Sequence, residues 1–241
     1  MKNTNIFCNE SCHIFADEIK QFISQERNVD KYKLFVRHIF KEIIGVSKKD
    51  PVWKLLSYLE NETDFYTAPA STKFHLNEEC GLVRHSLLVV ANGIELAPIM
   101  LTGEIDMFFL VLSCLFHDFC KVNMYEIKMR NSKNEETGNW EKVPFYKVKD
   151  NYLSYGHGIE SMIRLNKFIP MPESWNHAIR LHMGAYDISQ MDKLSLEKSL
   201  AAYSEVLFLQ TADMKAGLVD EIYRKIDSEQ KESNRNGKRN I

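Results

Sequence analysis

The amino-acid sequence predicts a mainly helical protein of one domain, with a β-hairpin inserted near residues 124–150. Apolar residues recur at i, i+3, i+4 and i+7 through most of the chain, the spacing that lines one face of an α-helix. Alternation with period two is confined to Tyr125–Arg130 and Phe145–Lys149, on either side of a polar stretch. No internal repeat and no Pro-, Gly- or Ser-rich linker divides the 241 residues, a length that one large core accommodates.

The elements follow in order. Ile14, Phe15, Ile19, Phe22 and Ile23, then Leu34, Phe35, Ile39, Phe40, Ile43 and Ile44, mark helices within residues 12–60. Asp50-Pro51 starts a further helix, because proline in a first turn forfeits no hydrogen bond, and Trp53, Leu55, Leu56 and Leu59 form its face. Residues 1–60 are therefore N-terminal helices packed on the core of a domain spanning 61–226. After an irregular stretch, Asn61 to Gly81, a helix over Leu82–Leu96 turns His85 inward beside Leu88, Val89 and Asn92. Met107 to Phe116 is apolar all round, the pattern of a helix buried on every side. The hairpin carries a polar tip from Asn131 to Asn139. Gly156-His157-Gly158 opens a helix running to Ile169, which Pro170 and Pro172 end. A helix from Glu173 to Met183 aligns His182 with Trp175, Ala178 and Ile179. One long helix from Leu196 to Ile226 sets Asp213 among Val206, Leu209 and Gln210, and residues 227–241 read as a disordered tail.

Bulk properties exclude several classes. A net charge of −2 announces no nucleic-acid binder, although it permits a local basic groove. No apolar run approaches the ~20 residues of a membrane helix, and Met1-Lys-Asn-Thr-Asn is no signal peptide, so a cytoplasmic protein without membrane partners is expected. Five scattered cysteines, Cys8, Cys12, Cys80, Cys114 and Cys120, fit a reducing compartment rather than a disulfide framework. Cys8, Cys12 and His13 lack the second Cys/His pair of a structural zinc site, and nothing in the sequence around Cys120 marks an activated thiol.

The chemistry gathers at His117-Asp118, which ends the greasiest helix, with Lys121 three residues on. An imidazole and a carboxylate placed where water is scarce must be paired, hydrogen-bonded or bound to metal. His85, His157, His182 and Asp213 are the candidate partners elsewhere in the chain. Imidazole and carboxylate donors without thiolate suit Mn, Fe, Co, Ni, Zn or Mg.

The succession His85, His117-Asp118, Asp213 resembles the HD superfamily of metal-dependent phosphohydrolases. His117-Asp-Phe-Cys-Lys121 is similar to the His-Asp-x-x-Lys signature of HD phosphodiesterases that act on cyclic dinucleotides and RNA ends. The flank Ala68-Pro-Ala-Ser, His75, Gly81-Leu82 and His85-Ser is similar to the HD domain of a bacterial 3′–5′ exoribonuclease. Tyr155-Gly-His-Gly and Leu181-His-Met-Gly resemble the two additional histidines of such members, and the likeness covers roughly residues 65–216. The chain departs from these relatives in carrying Cys120 where glycine is usual, in lacking an OB domain, and in having no Gly-Tyr-Pro after His157.

The resemblance implies an HD-type helical bundle and a divalent-metal-dependent phosphohydrolase, with one or two ions as cofactor. A metal-activated hydroxide would attack a nucleotide, cyclic nucleotide or short single-stranded nucleic acid. One ion takes His85, His117, Asp118 and Asp213; a second takes His157 and His182, with Asp118 bridging. His157 and His182 alternatively bind phosphate beside a single ion. Lys121 neutralises a phosphate oxygen, His75 contacts the substrate or donates to the leaving group, and Arg180, near His182 in the sequence, is either a phosphate contact or a surface charge. A deoxynucleotide phosphomonoesterase, a non-catalytic nucleotide-sensing module and a di-iron oxygenase remain as alternatives.

Overall fold

A computed structural model describes residues 10–73, 76–134, 137–187 and 190–223. The chain runs through α1 (Glu10–Gln25), α2 (Val29–His38), α3 (Val52–Asn61), α4 (Gly81–Met100) and α5 (Met107–Phe116). It continues as β1 (Tyr125–Lys133), β2 (Trp140–Val148), α6 (His157–Asn166), α7 (Glu173–Leu181), α8 (Gln190–Ala202) and α9 (Ser204–Met214). The two strands pair antiparallel, from Tyr125 opposite Val148 to Lys133 opposite Trp140. The protein is thus mainly helical with a single hairpin among the described residues.

Local chemistry sets the helix ends. Asn28 caps α2 by accepting from Lys31 N at 3.1 Å, and Asp106 caps α5 by accepting from Phe108 N at 2.9 Å. One apolar cluster runs from Phe15 on α1 to Ala216 just past α9, with α4 at its centre, against α1, α5 and α9. Close approach is possible because residue 93 is glycine. A Cβ there would stand 2.7 Å from Cys114 Sγ on α5 and 3.2 Å from the Phe208 ring on α9. The three helices that carry His85, His117 and Asp213 therefore meet where one side chain is missing. Beyond α9 the chain winds into a π-helical stretch, Lys215–Tyr223, tied to α4 by Asn92 Nδ2 donating to Asp220 Oδ2 at 2.9 Å.

Several expectations need correction. The long helix from Leu196 to Ile226 is two helices, broken at Tyr203, whose backbone is extended (φ −134°, ψ 113°). The break carries neither glycine nor proline, so the apolar pattern runs through it unmarked. The α4 helix extends past Leu96 through Pro98 to Met100. It is long and apolar enough to cross a membrane, contrary to the reading that no such run exists, but 72% of its most apolar stretch is buried inside the protein, as a central core helix requires. The hairpin strands include Asn131–Lys133, so the tip is shorter than expected. Helix α6 stops at Asn166 rather than Ile169, and α7 at Leu181, leaving His182 as its C-cap. Residues 227–241 and His75 lie outside the described residues.

Gly93→Ala should overpack the α4–α5–α9 junction at a cost of about 1–3 kcal/mol. Urea unfolding checks this by a lower midpoint at unchanged slope, and an unchanged midpoint would refute the close-approach argument.

Candidate metal centre

Five elements deliver the polar cluster: α4 brings His85, the end of α5 His117 and Asp118, the start of α6 His157, the end of α7 His182, and α9 Asp213. The α5 helix ends at His117, and residues Phe119–Lys121 tighten into a 3₁₀ turn. Residues three apart eclipse in such a turn, so Asp118 and Lys121 come onto one edge, Nζ to Oδ2 at 2.6 Å. Asn123, in the left-handed region at φ 58°, turns the chain out into the hairpin.

The turn is held from behind by α6 and the loop leading into it. Cys120 N donates to Ser161 Oγ at 3.0 Å, and Arg164 Nη1 donates to the carbonyls of Phe119 (3.2 Å) and Val122 (2.9 Å). Tyr152 OH donates to the Cys120 carbonyl. One turn before Ser161 on the same face of α6 stands His157. Its neighbour Gly158 lets α6 touch α7, since a Cβ there would fall 2.1 Å from the Arg180 carbonyl oxygen. That contact brings His157 beside His182, ring centroids 5.1 Å apart.

The two oxygens of Asp118 face different groups. Oδ2 lies 3.4 Å from His117 Nε2 and 3.9 Å from His85 Nε2, and Asp213 Oδ1 completes this group at 3.0 Å from His85 and 3.6 Å from His117. Oδ1 lies 2.5 Å from His157 Nε2 and 3.6 Å from His182 Nε2. Asp118, His85, His117 and His182 are buried, whereas the side chains of His157 (22%), Asp213 (17%) and Lys121 (14%) keep some exposure and form the rim. Solvent, and any ligand, reaches the cluster past these three.

Both deep imidazoles at helix ends are locked in one tautomer. His117 Nδ1 stands 2.9 Å from the Cys114 carbonyl and His182 Nδ1 2.7 Å from the Ile179 carbonyl. A carbonyl only accepts, so each Nδ1 donates and each Nε2 is the atom turned inward, where the neutral ring offers a lone pair. His182 Nε2 is buried without a hydrogen-bond partner, and Asp118 Oδ1, although close to His157 Nε2, makes no well-aligned hydrogen bond. Two buried acceptors 3.6 Å apart repel one another unless a cation lies between them. The C-termini of α5 and α7 add negative dipole ends at the same place.

The electrostatics agree. Burial pushes the Asp118 carboxyl upward, but Lys121, His117 and His157 outweigh it and hold the group well below the usual carboxylate range. Burial likewise opposes the charge on Asp213, which His117 and His85 keep ionised. Burial lowers the His157 pKa and Asp118 more than reverses this, raising it to about 10, while burial keeps His182 below its ordinary value. For Lys121, burial is likewise outweighed by Asp118, which holds the ammonium charged. Protons on imidazole thus balance two buried carboxylates in the place a divalent cation would take. The residues fit such an ion: His85, His117 and Asp213 form one possible ligand group, His117, Asp118 and His182 another, and Asp118, Cys120 and His157 a third that brings in a thiol the sequence reading left out, each with donor atoms within 4.8 Å of one another.

No family model, curated protein or solved structure matches the chain. The site therefore rests on its own geometry.

Six anticipated ligands, His85, His117, Asp118, His157, His182 and Asp213, and the anticipated Lys121 are brought together. Arg180 donates from Nη1 to Ser195 Oγ on α8 at 3.1 Å, and it stands two positions from His182, roughly 200° around a helix. Cys120 was read as lacking an activating neighbour, and the structure corrects this: its Sγ lies 3.2 Å from His157 Nδ1. Thirty-seven residues separate the two, so no local pattern signals the contact. The clamp by Ser161 and Arg164 was also missed, although both sit at i+4 and i+7 from His157 on an otherwise amphipathic helix.

Added Mn²⁺ at one hundred times its dissociation constant should stabilise the fold by about 2.7 kcal/mol. Thermal melting is expected to show that rise in wild type, its reversal by EDTA and its loss in Asp118→Ala. An equal rise in the variant would remove Asp118 from the site.

Proposed function

We propose that the chain is a divalent-metal-dependent phosphohydrolase of the HD class, acting on a phosphodiester in a nucleotide, cyclic nucleotide or short single-stranded nucleic acid. In this reading α4 to α7 and α9 form an HD-type bundle. The observation that carries it is Asp118, whose two oxygens face separate histidine groups while Lys121 stands beside it. His85, His117, Asp213 and Asp118 Oδ2 would hold one ion, and His157, His182 and Asp118 Oδ1 a second. Bound divalent ions would supply Lewis-acid polarisation of a phosphoryl oxygen and a water of lowered pKa.

The chain's own residues provide the remainder. Lys121 presents its ammonium at the rim and neutralises charge developing on a non-bridging phosphoryl oxygen. The carbonyls of Cys114 and Ile179 keep two imidazoles oriented, so no reorganisation is needed during the reaction. Phe116 and Phe119, both buried, exclude water behind the cluster and strengthen each electrostatic contact in front of it. In this reading the hairpin would overhang the approach. Tyr125 at its base is near Lys121, and Tyr146 on β2 is near enough to Glu79 at the start of α4 to feel its charge, each pKa being raised first by burial. Preference for diesters comes from the likeness of residues 68–86 to an exoribonuclease domain.

Hydrolysis of bis(p-nitrophenyl) phosphate with Mn²⁺ tests the proposal. Turnover should vanish with EDTA and in Asp118→Ala, and Lys121→Ala should lower kcat by about 10²–10³. No turnover by a folded, Mn²⁺-loaded wild type would overturn it, and faster hydrolysis of p-nitrophenyl phosphate would convert it to a monoesterase.

A further inference from the structure

A cavity of about 590 Å³ lies against the turn that carries Asp118 and Lys121, and none of the candidate metal ligands lines it. Its volume falls within the roughly 300–1,000 Å³ of small-molecule sites. Asp118 and Lys121 occupy one edge of the 3₁₀ turn; the cavity is lined instead by Phe119 and Val122, which share the next edge. It is therefore a separate site on the reverse of the same turn.

The lining combines cations with aromatic rings. Lys149, Arg164 and Lys167 meet one carboxylate in the lining, Glu160, and a second, Asp64, stands near enough to Lys149 and Arg164 to feel their charge. Glu160 is engaged by Arg164, Nε to Oε1 at 2.6 Å, and Asp64 partly answers Lys149, so three cations against two carboxylates leave an excess of positive charge. Lys149 Nζ donates to the Asn123 carbonyl at 2.8 Å and keeps two further protons; Lys167 is exposed at the margin. Tyr58 and Phe168 pack with ring centroids 5.1 Å apart, and the Tyr152 ring lies 5.9 Å from the Arg164 guanidinium carbon. Flat rings beside lysines recognise a planar base joined to phosphate: the rings supply stacking and the ammonium groups supply charge.

We propose that this cavity binds a nucleoside phosphate, with the base against Tyr58, Tyr152 and Phe168 and the phosphates on Lys149 and Lys167. The site is joined to the metal centre by backbone. Arg164 and Tyr152 hold the carbonyls of residues 119, 120 and 122, and the segment 149–153 that lines the cavity runs directly into His157.

Calorimetric titration of the full chain with ADP in EDTA tests this apart from any hydrolysis. One equivalent should bind, His85→Ala should bind as wild type does, and Lys149→Ala/Lys167→Ala should weaken binding at least tenfold. Pyrophosphate should bind at least tenfold more weakly than ADP. Lys167→Glu alone, a change at an exposed side chain, gives the same readout if the double variant does not fold. Absence of binding at millimolar ADP, equal affinity in the lysine variants, loss in His85→Ala, or pyrophosphate as tight as ADP would each overturn the assignment.

Discussion

The carboxylate of Asp118 is the group on which the rest of the centre depends. It is buried at the end of a largely apolar helix, a position in which an unpaired charge would be intolerable. Lys121 from its own turn and His117, His85 and His157 from three helices answer that charge, while His182 from a fourth turns an acceptor toward it. Asp213, itself ionised, makes the balance dependent on positive charge, which protons or a divalent ion can supply. The helices meet at this point because Gly93 and Gly158 permit backbone approaches that a Cβ would block.

Much of this was legible from residues alone. A histidine at an inward position on an apolar helix, a His-Asp pair at the end of a buried one and an aspartate on a further core face each signal polar groups that need partners. Their assembly follows because the described residues share one core that receives them. Less local features were not legible. The break at Tyr203 has no glycine or proline and keeps the apolar pattern, so only the packed structure reveals two helices. Arg164 sits on an amphipathic helix where an arginine ordinarily faces water, yet its guanidinium binds carbonyls of a turn some forty residues earlier, at |i−j| of 45 and 42. The contact of Cys120 with His157 has the same long-range origin.

The 3₁₀ turn of residues 119–121 divides the labour of the surface. One edge presents Asp118 and Lys121 to the histidines; the other backs onto a cavity of cations and rings. A turn this short has little hydrogen bonding of its own, and its carbonyls are satisfied by Arg164 and Tyr152. The position of the central carboxylate is thus set by side chains that belong to the second cavity. A change there would reach Asp118 through one layer of hydrogen bonds.

The most direct measurement is anomalous diffraction at the manganese edge from crystals soaked in Mn²⁺. The account predicts two peaks about 3.5–4 Å apart, one on each side of the Asp118 carboxylate. A single peak that leaves either oxygen of Asp118 without a metal, or no peak near Asp118 at all, would contradict it.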